Sequence, residues 1–251
     1  MNPTIPAPVH ILQVPVHPVT MTQTVALAEA FMAGDTLRHI VTTNPEFVMA
    51  AHDDPSFMAV IQNAALSVPD GVGLLLAARR QGRRLPARVP GSELVYTLAE
   101  AAARHGWRLF LLGAAPGVAE EAARRLQSRY PALTIAGTYA GSPSAADNEA
   151  LVARINASAA DLLYVAYGAP RQDKWIARNR KALRTVRVAL GVGGALDFIT
   201  GRSRRAPRWL QRLGLEWFYR LLREPWRWRR MRALPRFAIA VLRRPAQSRD
   251  R

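Results

Sequence analysis

The chain has 251 residues, 49% of them hydrophobic and 21% charged, enough to bury a full core as one globular unit with an appendage. It contains no cysteine, which excludes a disulfide framework and a thiolate metal site and points to a reducing compartment, the cytoplasm. The net charge of +17 is unevenly placed: residues 202–251 hold 16 Arg, no Lys and only Glu216, Glu224 and Asp250 as acids, a net +13 that leaves +4 for the rest.

The opening stretch MNPTIPAPVHILQVPVHP lacks a basic segment followed by an apolar run, and no 18 consecutive apolar residues occur. Neither a secretory leader nor a membrane span is expected. Short β-rich apolar runs then alternate with Ala/Leu-rich amphipathic stretches over the first 200 residues. The runs predict strands near His39–Thr42, Leu66–Val68, Trp107–Leu112, Leu133–Tyr139, Asp161–Ala166 and Val186–Gly191. The amphipathic stretches predict helices over Thr22–Ala33, Pro55–Ala65, Val72–Arg80, Ser92–His105, Val118–Arg129, Ala145–Ser158 and Gln172–Lys181. This order implies an α/β fold, a Rossmann-like, mostly parallel sheet flanked by helices, with ligands at the C-terminal ends of the strands. Gly201–Pro207 ends the alternation, and the chain beyond it is helical in period but interrupted at Pro225 and Pro235. The expected division is an α/β core at 1–201 and a basic helical appendage at 202–251.

Four strand ends carry candidate chemistry. Thr42, Thr43 and Asn44 bring two hydroxyls and an amide to a turn, suited to a sugar or phosphate, although Thr-Asn-Pro is also an ordinary turn initiator. Asp70 follows a strand within Pro69-Asp-Gly71, where a carboxylate serves either as a general base or as a helix cap, and Gly71 and Gly73 permit close backbone approach. Arg88, in a loop bounded by Pro and Gly, is a candidate phosphate or sugar contact. Gly168-Ala-Pro-Arg-Gln172 shapes a loop whose Gln172 offers both a donor and an acceptor to a ligand such as a uracil edge. Gly191-Val-Gly-Gly194 brings backbone N–H groups toward a ligand at Gly193, with Asp197 following.

Two patterns are absent. No D-x-D pair occurs to hold a divalent ion on a sugar-nucleotide diphosphate, and His10, His17, His39, His52 and His105 show no metal-ligand spacing, so no metal and no other cofactor is expected. The dinucleotide pattern G-x-G-x-x-G is missing as well.

Taken in order, T-x-N-P-E at 42–46, P-D-G at 69–71, R-V-x-G at 88–91, G-A-P-R-Q at 168–172, G-V-G-G-A-x-D at 191–197, R-A-P at 205–207 and L-E-W-x-x-R-L-x-x-E-P at 215–225 resemble the WecG/TagA/CpsF glycosyltransferase family. Each motif alone is weak; seven in register are specific. The resemblance implies an inverting, metal-independent enzyme that moves sugar from a UDP-sugar to an undecaprenyl-diphosphate-linked saccharide at the inner face of the cytoplasmic membrane. It makes Asp70 the catalytic base, with Thr42 and Asn44 lining its pocket and Arg88 near the acceptor or phosphate. It assigns Gln172 and Asp197 to the nucleotide and the turn at Gly137–Tyr139 to the uridine. Thr43 in the variable slot of T-x-N and Leu196 in place of a frequent Phe are the departures, and neither bears on the chemistry.

An acceptor hydroxyl is a poor nucleophile near neutral pH, so a positioned carboxylate must take its proton. With no metal, the charge on the leaving UDP falls to arginines and helix N-termini. Arg204, Arg205, Arg208 and Arg220 are the candidates. The appendage also holds Trp209, Trp217, Trp226 and Trp228 among its arginines, a composition suited to an anionic headgroup layer. The rival reading is a nucleic-acid-binding tract, but no recognised nucleic-acid motif accompanies it, and nucleic acid is not an expected partner. A homo-oligomer is compatible with all of this.

Overall fold

The structure, a computed structural model, describes residues 3–203, 206–207, 210, 216–223 and 228–243. A short antiparallel hairpin, β1 (Val9–Ile11) and β2 (Val14–Val16), precedes α1 (Met21–Met32). The chain continues through β3 (Arg38–Thr43), α2 (Pro45–Asp53), α3 (Pro55–Gln62), β4 (Leu66–Pro69), α4 (Val72–Arg80), α5 (Gly91–His105) and β5 (Arg108–Gly113). Next come α6 (Val118–Arg129), β6 (Thr134–Tyr139), α7 (Asn148–Ala157), β7 (Leu162–Ala166), α8 (Arg171–Asn179), β8 (Val188–Gly191) and α9 (Ala195–Ile199). Three helices of the basic segment complete the described chain: α10 (Glu216–Arg223), α11 (Trp228–Met231) and α12 (Ala233–Arg243).

Six strands form one sheet in the order β4-β3-β8-β7-β5-β6, every pair parallel. Because both faces are covered, the strands read as apolar runs whose alternate residues enter different cores. Leu109 and Leu111 join one core with Ile40, Val68, Leu98 and Leu126, while Phe110 and Leu112 join another with Ile155, Trp175 and Ala189. A third core, at the β3–β4 end, packs Val41, Phe47, Phe57 and Leu74 against the hairpin residues Ile11 and Val16. The α/β, parallel-sheet expectation therefore holds, and all six predicted strands are present.

Three elements went unpredicted. The β1–β2 hairpin is two three-residue strands, too short for period to reveal, held beside β4 by His17. The His17 backbone N–H donates to the Ser67 carbonyl at 2.8 Å and the Ser67 N–H donates to His17 Nδ1 at 3.0 Å. Helix α2 begins where the sequence suggests a turn: Asn44 caps it by accepting the Phe47 N–H at 2.9 Å, and Pro45 fills the first helical position, where its missing N–H is not needed. Helix α9 is only five residues long. Gly137–Tyr139 belongs to strand β6 and is no turn.

The last helix is built into the body of the protein. Phe237 of α12 is buried in the same core as Phe47 and Leu74, and Arg236 makes a two-pronged ion pair with Asp53 of α2 at 2.8 and 2.9 Å. Among the described residues, no helix is long and apolar enough to cross a membrane.

Candidate active site

Parallel strands end together, and here the ends of β3, β4 and β8 open into a cavity of about 200 Å³. Thr42, Asn44 and Glu46 line one side, Asp70 and Gly91 a second, and Gln172, Gly193 and Phe198 a third. The register explains the convergence. Thr42 pairs with Val68 and Thr43 with Pro69, and the Asp70 N–H donates to the Thr43 carbonyl at 2.7 Å, so the two polar strand ends lie abreast.

Asp70 is held from the far side. Its Oδ2 accepts the Gly91 N–H at 3.1 Å, and Gly91 is the first residue of α5, where unpaired N–H groups and the helix dipole favour an anion. The cap reading of Asp70 is thus half right: it does bind a helix N-terminus, but that of α5, 21 residues on, while its own α4 has no side-chain cap. A side chain at Gly91 meets Thr42, whose Oγ1 and Cγ2 lie 3.1 and 3.3 Å from a Cβ built there. Gly91, Thr42 and Asp70 form one close-packed corner.

Gln172 is 2% exposed. Its Oε1 accepts the Gly193 N–H at 3.0 Å, and its Nε2 lies 2.3 Å from a Cβ built on Gly191, so only glycine fits there. The glycines after β8 are therefore shaped around Gln172. A uracil edge would have to share an acceptor that already holds the loop.

Gly71 and Gly73 have a packing reason rather than an opening toward the cavity: Cβ atoms there would meet Pro45 at 3.3 and 2.9 Å, and at Gly73 the Phe237 ring at 3.6 Å. Gly137 likewise makes room for the Phe110 ring, 2.7 Å from its would-be Cβ. Arg88 is half-buried in the loop whose next residue, Val89, donates to the Pro69 carbonyl at 2.7 Å, and it does not line the cavity. Asp197 sits in the first turn of α9 beside the lining residue Phe198. Arg204, Arg205 and Arg208 lie outside the described residues, and of Arg220 only its place in α10 is described.

Tyr139 is elsewhere. It ends β6, three strands from β8, about 14 Å across the sheet. A second group of residues gathers there, where β5 leads outward to β6 and β7 leads the opposite way to β8, the topological switch at which open α/β sheets take ligands. Tyr139 is 39% exposed with the Arg154 guanidinium 4.5 Å from its ring centre, and Gly141 lies against both Tyr139 and the hydroxyl of Tyr167. Tyr167 is buried, its hydroxyl has no hydrogen-bond partner among the described residues, and burial pushes its pKa well above the ordinary tyrosine range. Gly113 turns with φ +96°, and Gly117, also at positive φ, precedes the N-terminus of α6.

Sequence reasoning passes over Glu46, Tyr167 and Gly141. Glu46 stands inside the T-x-N-P-E motif and lines both this cavity and a neighbouring groove of about 460 Å³ between α2 and α12. Its signal is the acid two places after a capping Asn.

The sequence profile described as Glycosyl transferase WecG/TagA/CpsF family matches residues 9–251. Among curated relatives, the N-acetylglucosaminyldiphosphoundecaprenol N-acetyl-beta-D-mannosaminyltransferase of Bacillus subtilis strain 168 is 38% identical over 203 residues, 81% of this chain and 78% of its own. The enzyme of the same name from Staphylococcus aureus strain MW2 is 33% identical over 237 residues, 94% and 92% of the two chains. With a profile covering nearly the whole sequence and the polar strand ends brought together as its motifs require, the chain belongs to the WecG/TagA/CpsF family of glycosyltransferases.

Proposed function

We propose that this protein transfers a hexose or N-acetylhexosamine from a UDP-sugar to a saccharide linked to undecaprenyl diphosphate, inverting the anomeric centre and using no metal. The single observation that carries the reading is Asp70, whose carboxylate is fixed by the first N–H of α5 at the wall of a polar cavity. An acceptor hydroxyl seated beside Thr42 and Asn44 gives its proton to Asp70 as its oxygen bonds to the anomeric carbon and the bond to UDP breaks. Asn44 accepts the Phe47 N–H through Oδ1, leaving its Nδ2 as a donor toward the sugar. The nucleotide extends across the sheet, its uridine against Tyr139 at the switch point and its diphosphate toward Gly193 and the α9 turn that carries Asp197. Gln172 serves the nucleotide through the loop it shapes. Arg204, Arg205, Arg208 and Arg220 neutralise the charge of the departing UDP, and the basic segment brings the enzyme to the inner face of the cytoplasmic membrane.

The names of the relatives favour N-acetylmannosamine as the sugar and a lipid-linked N-acetylglucosamine as the acceptor. The test is a UDP-release screen over a panel of UDP-sugars with a synthetic prenyl-diphosphate-linked N-acetylglucosamine. Release dependent on both partners is the expected result. Release without acceptor, or from no UDP-sugar at all, rules the reading out.

A further inference from the structure

Helix α12 buries Phe237 on one side and turns the opposite side outward. Pro235, Ala238, Ile239 and Leu242 fall within one arc of that outer side at helical spacing, and all are exposed, Ile239 by 49% and Leu242 by 61%. Helix α4 runs alongside: the Phe237 ring is 3.6 Å from a Cβ built on Gly73, and Arg80 Nη2 donates to the Leu242 carbonyl at 3.1 Å. Between those contacts on α4 stands Leu76, 61% exposed.

The charges that α4, the loop after it and α12 carry beside this apolar ridge are of one sign. Arg79, Arg80, Arg83, Arg84 and Arg243 are exposed, and none has a carboxylate partner among the described residues. No Asp or Glu occurs anywhere in 71–92 or 225–249. A solvated face has no reason to expose Leu76, Ile239 and Leu242 together. A nucleic-acid face needs donors and flat rings to stack bases, which aliphatic side chains do not supply. Aliphatic residues ringed by arginines without carboxylate partners match a layer whose outer part is anionic phosphate and whose depth is hydrocarbon.

We propose that the α4–α12 seam is a docking face for an anionic lipid bilayer, with Leu76, Ile239 and Leu242 entering the headgroup region while Arg79, Arg80, Arg83, Arg84 and Arg243 meet lipid phosphates. Membrane contact thereby extends beyond the C-terminal segment into the α/β unit. The Arg236–Asp53 pair and buried Phe237 hold the face rigidly on α2, beside the cavity that Glu46 and Phe47 line. The proposal deepens the reading of an enzyme with a lipid-linked acceptor and rests on it, but its test does not pass through turnover.

The experiment is co-sedimentation of the full-length protein with vesicles of phosphatidylcholine alone and of phosphatidylcholine mixed with phosphatidylglycerol. Wild type binds the mixed vesicles and loses binding as salt rises. Replacing Arg79, Arg83 and Arg84 together by Gln lowers that binding about a hundredfold, at about fivefold per arginine. Leu76→Gln lowers it about tenfold, and Arg184→Gln, in the segment before β8 where the Arg184 backbone N–H donates to Asn156 of α7, leaves it unchanged. Unaltered binding by both the triple variant and Leu76→Gln overturns the proposal. So does a triple variant that loses a nucleic-acid gel shift while keeping the vesicles. A protein that docks as described yet releases UDP from no donor leaves the docking face standing and removes the proposed reaction instead.

Discussion

The two ends of the sheet solve different problems with the same topology. At the β3–β4–β8 end, Asp70, Thr42, Asn44 and Gln172 crowd a small polar cavity in which each group is fixed by a backbone N–H or by a neighbour's bulk. At the β5–β6–β7 end, two tyrosines and a set of left-handed turns at Gly113, Ala114 and Gly117 form a shelf with one hydroxyl that has no partner among the described residues. A rigid carboxylate suits bond making, whereas an exposed ring with a cation beside it suits the flat face of a base. In the proposed reaction the difference corresponds to one long substrate handled in separate parts, its chemistry at one end of the sheet and its recognition at the other.

That division is open to direct attack. The largest expected effect is Asp70→Asn, which lowers kcat about 10²- to 10⁴-fold, as loss of a general base does, and leaves UDP affinity by calorimetry unchanged. Equal loss in Glu46→Gln with an active Asp70→Asn would move the base to Glu46 and redraw the carboxylate end. At the tyrosine end the pattern reverses: Tyr139→Ala raises the donor KM about 10- to 100-fold, the worth of one base stacked on a ring, with kcat near wild type. A kcat defect there instead would erase the distinction between the ends.

A smaller effect is expected from Gly91→Ala. The added methyl presses on Thr42 at 3.1–3.4 Å, and since Thr42 is buried the corner yields by a few tenths of an ångström. Turnover falls about tenfold, while the melting temperature, read by calorimetry, drops only a few degrees. A variant with wild-type kcat shows that the corner tolerates movement and that Asp70 is less tightly placed than its bond to Gly91 implies.

The smallest effect is pH-dependent and confined to the carboxylate end. Burial holds the His17 pKa below its ordinary value of 6.5, so the folded state keeps this ring neutral where the unfolded state takes up a proton. The contribution is complete above about pH 6.5 and is lost as the pH falls toward the folded value. Hydrogen exchange is expected to show β2 and β4 loosening on acidification before β5 and β6, and His17→Asn to flatten that difference. Simultaneous loosening at both ends would show that the ends do not behave independently.

How much of this is legible in the sequence depends on the range of each interaction. The six strands and their flanking helices show themselves in local period, and Asp70, Thr42, Asn44 and Gln172 stand out because parallel strands deliver their C-terminal ends to one edge. The meaning of the glycines is not legible. Gly71, Gly73, Gly137 and Gly191 are small because Pro45, Phe237, Phe110 and Gln172 approach through space, and nothing in the sequence names the neighbour. Helix α2 stays hidden because Asn-Pro starts turns and helices alike.

The basic C-terminal segment marks the same boundary. Its charge, its tryptophans and the lack of acids around it are properties of composition, and the sequence by itself determined that this part of the protein is strongly cationic. Only the tertiary structure decided that Phe237 faces inward into the core shared with Phe47, that Arg236 finds Asp53 183 positions earlier, and that Ile239 and Leu242 face outward beside Leu76. An amphipathic period states that a helix has two faces, but which face meets protein and which meets solvent or lipid is set by packing against chain that is distant in sequence.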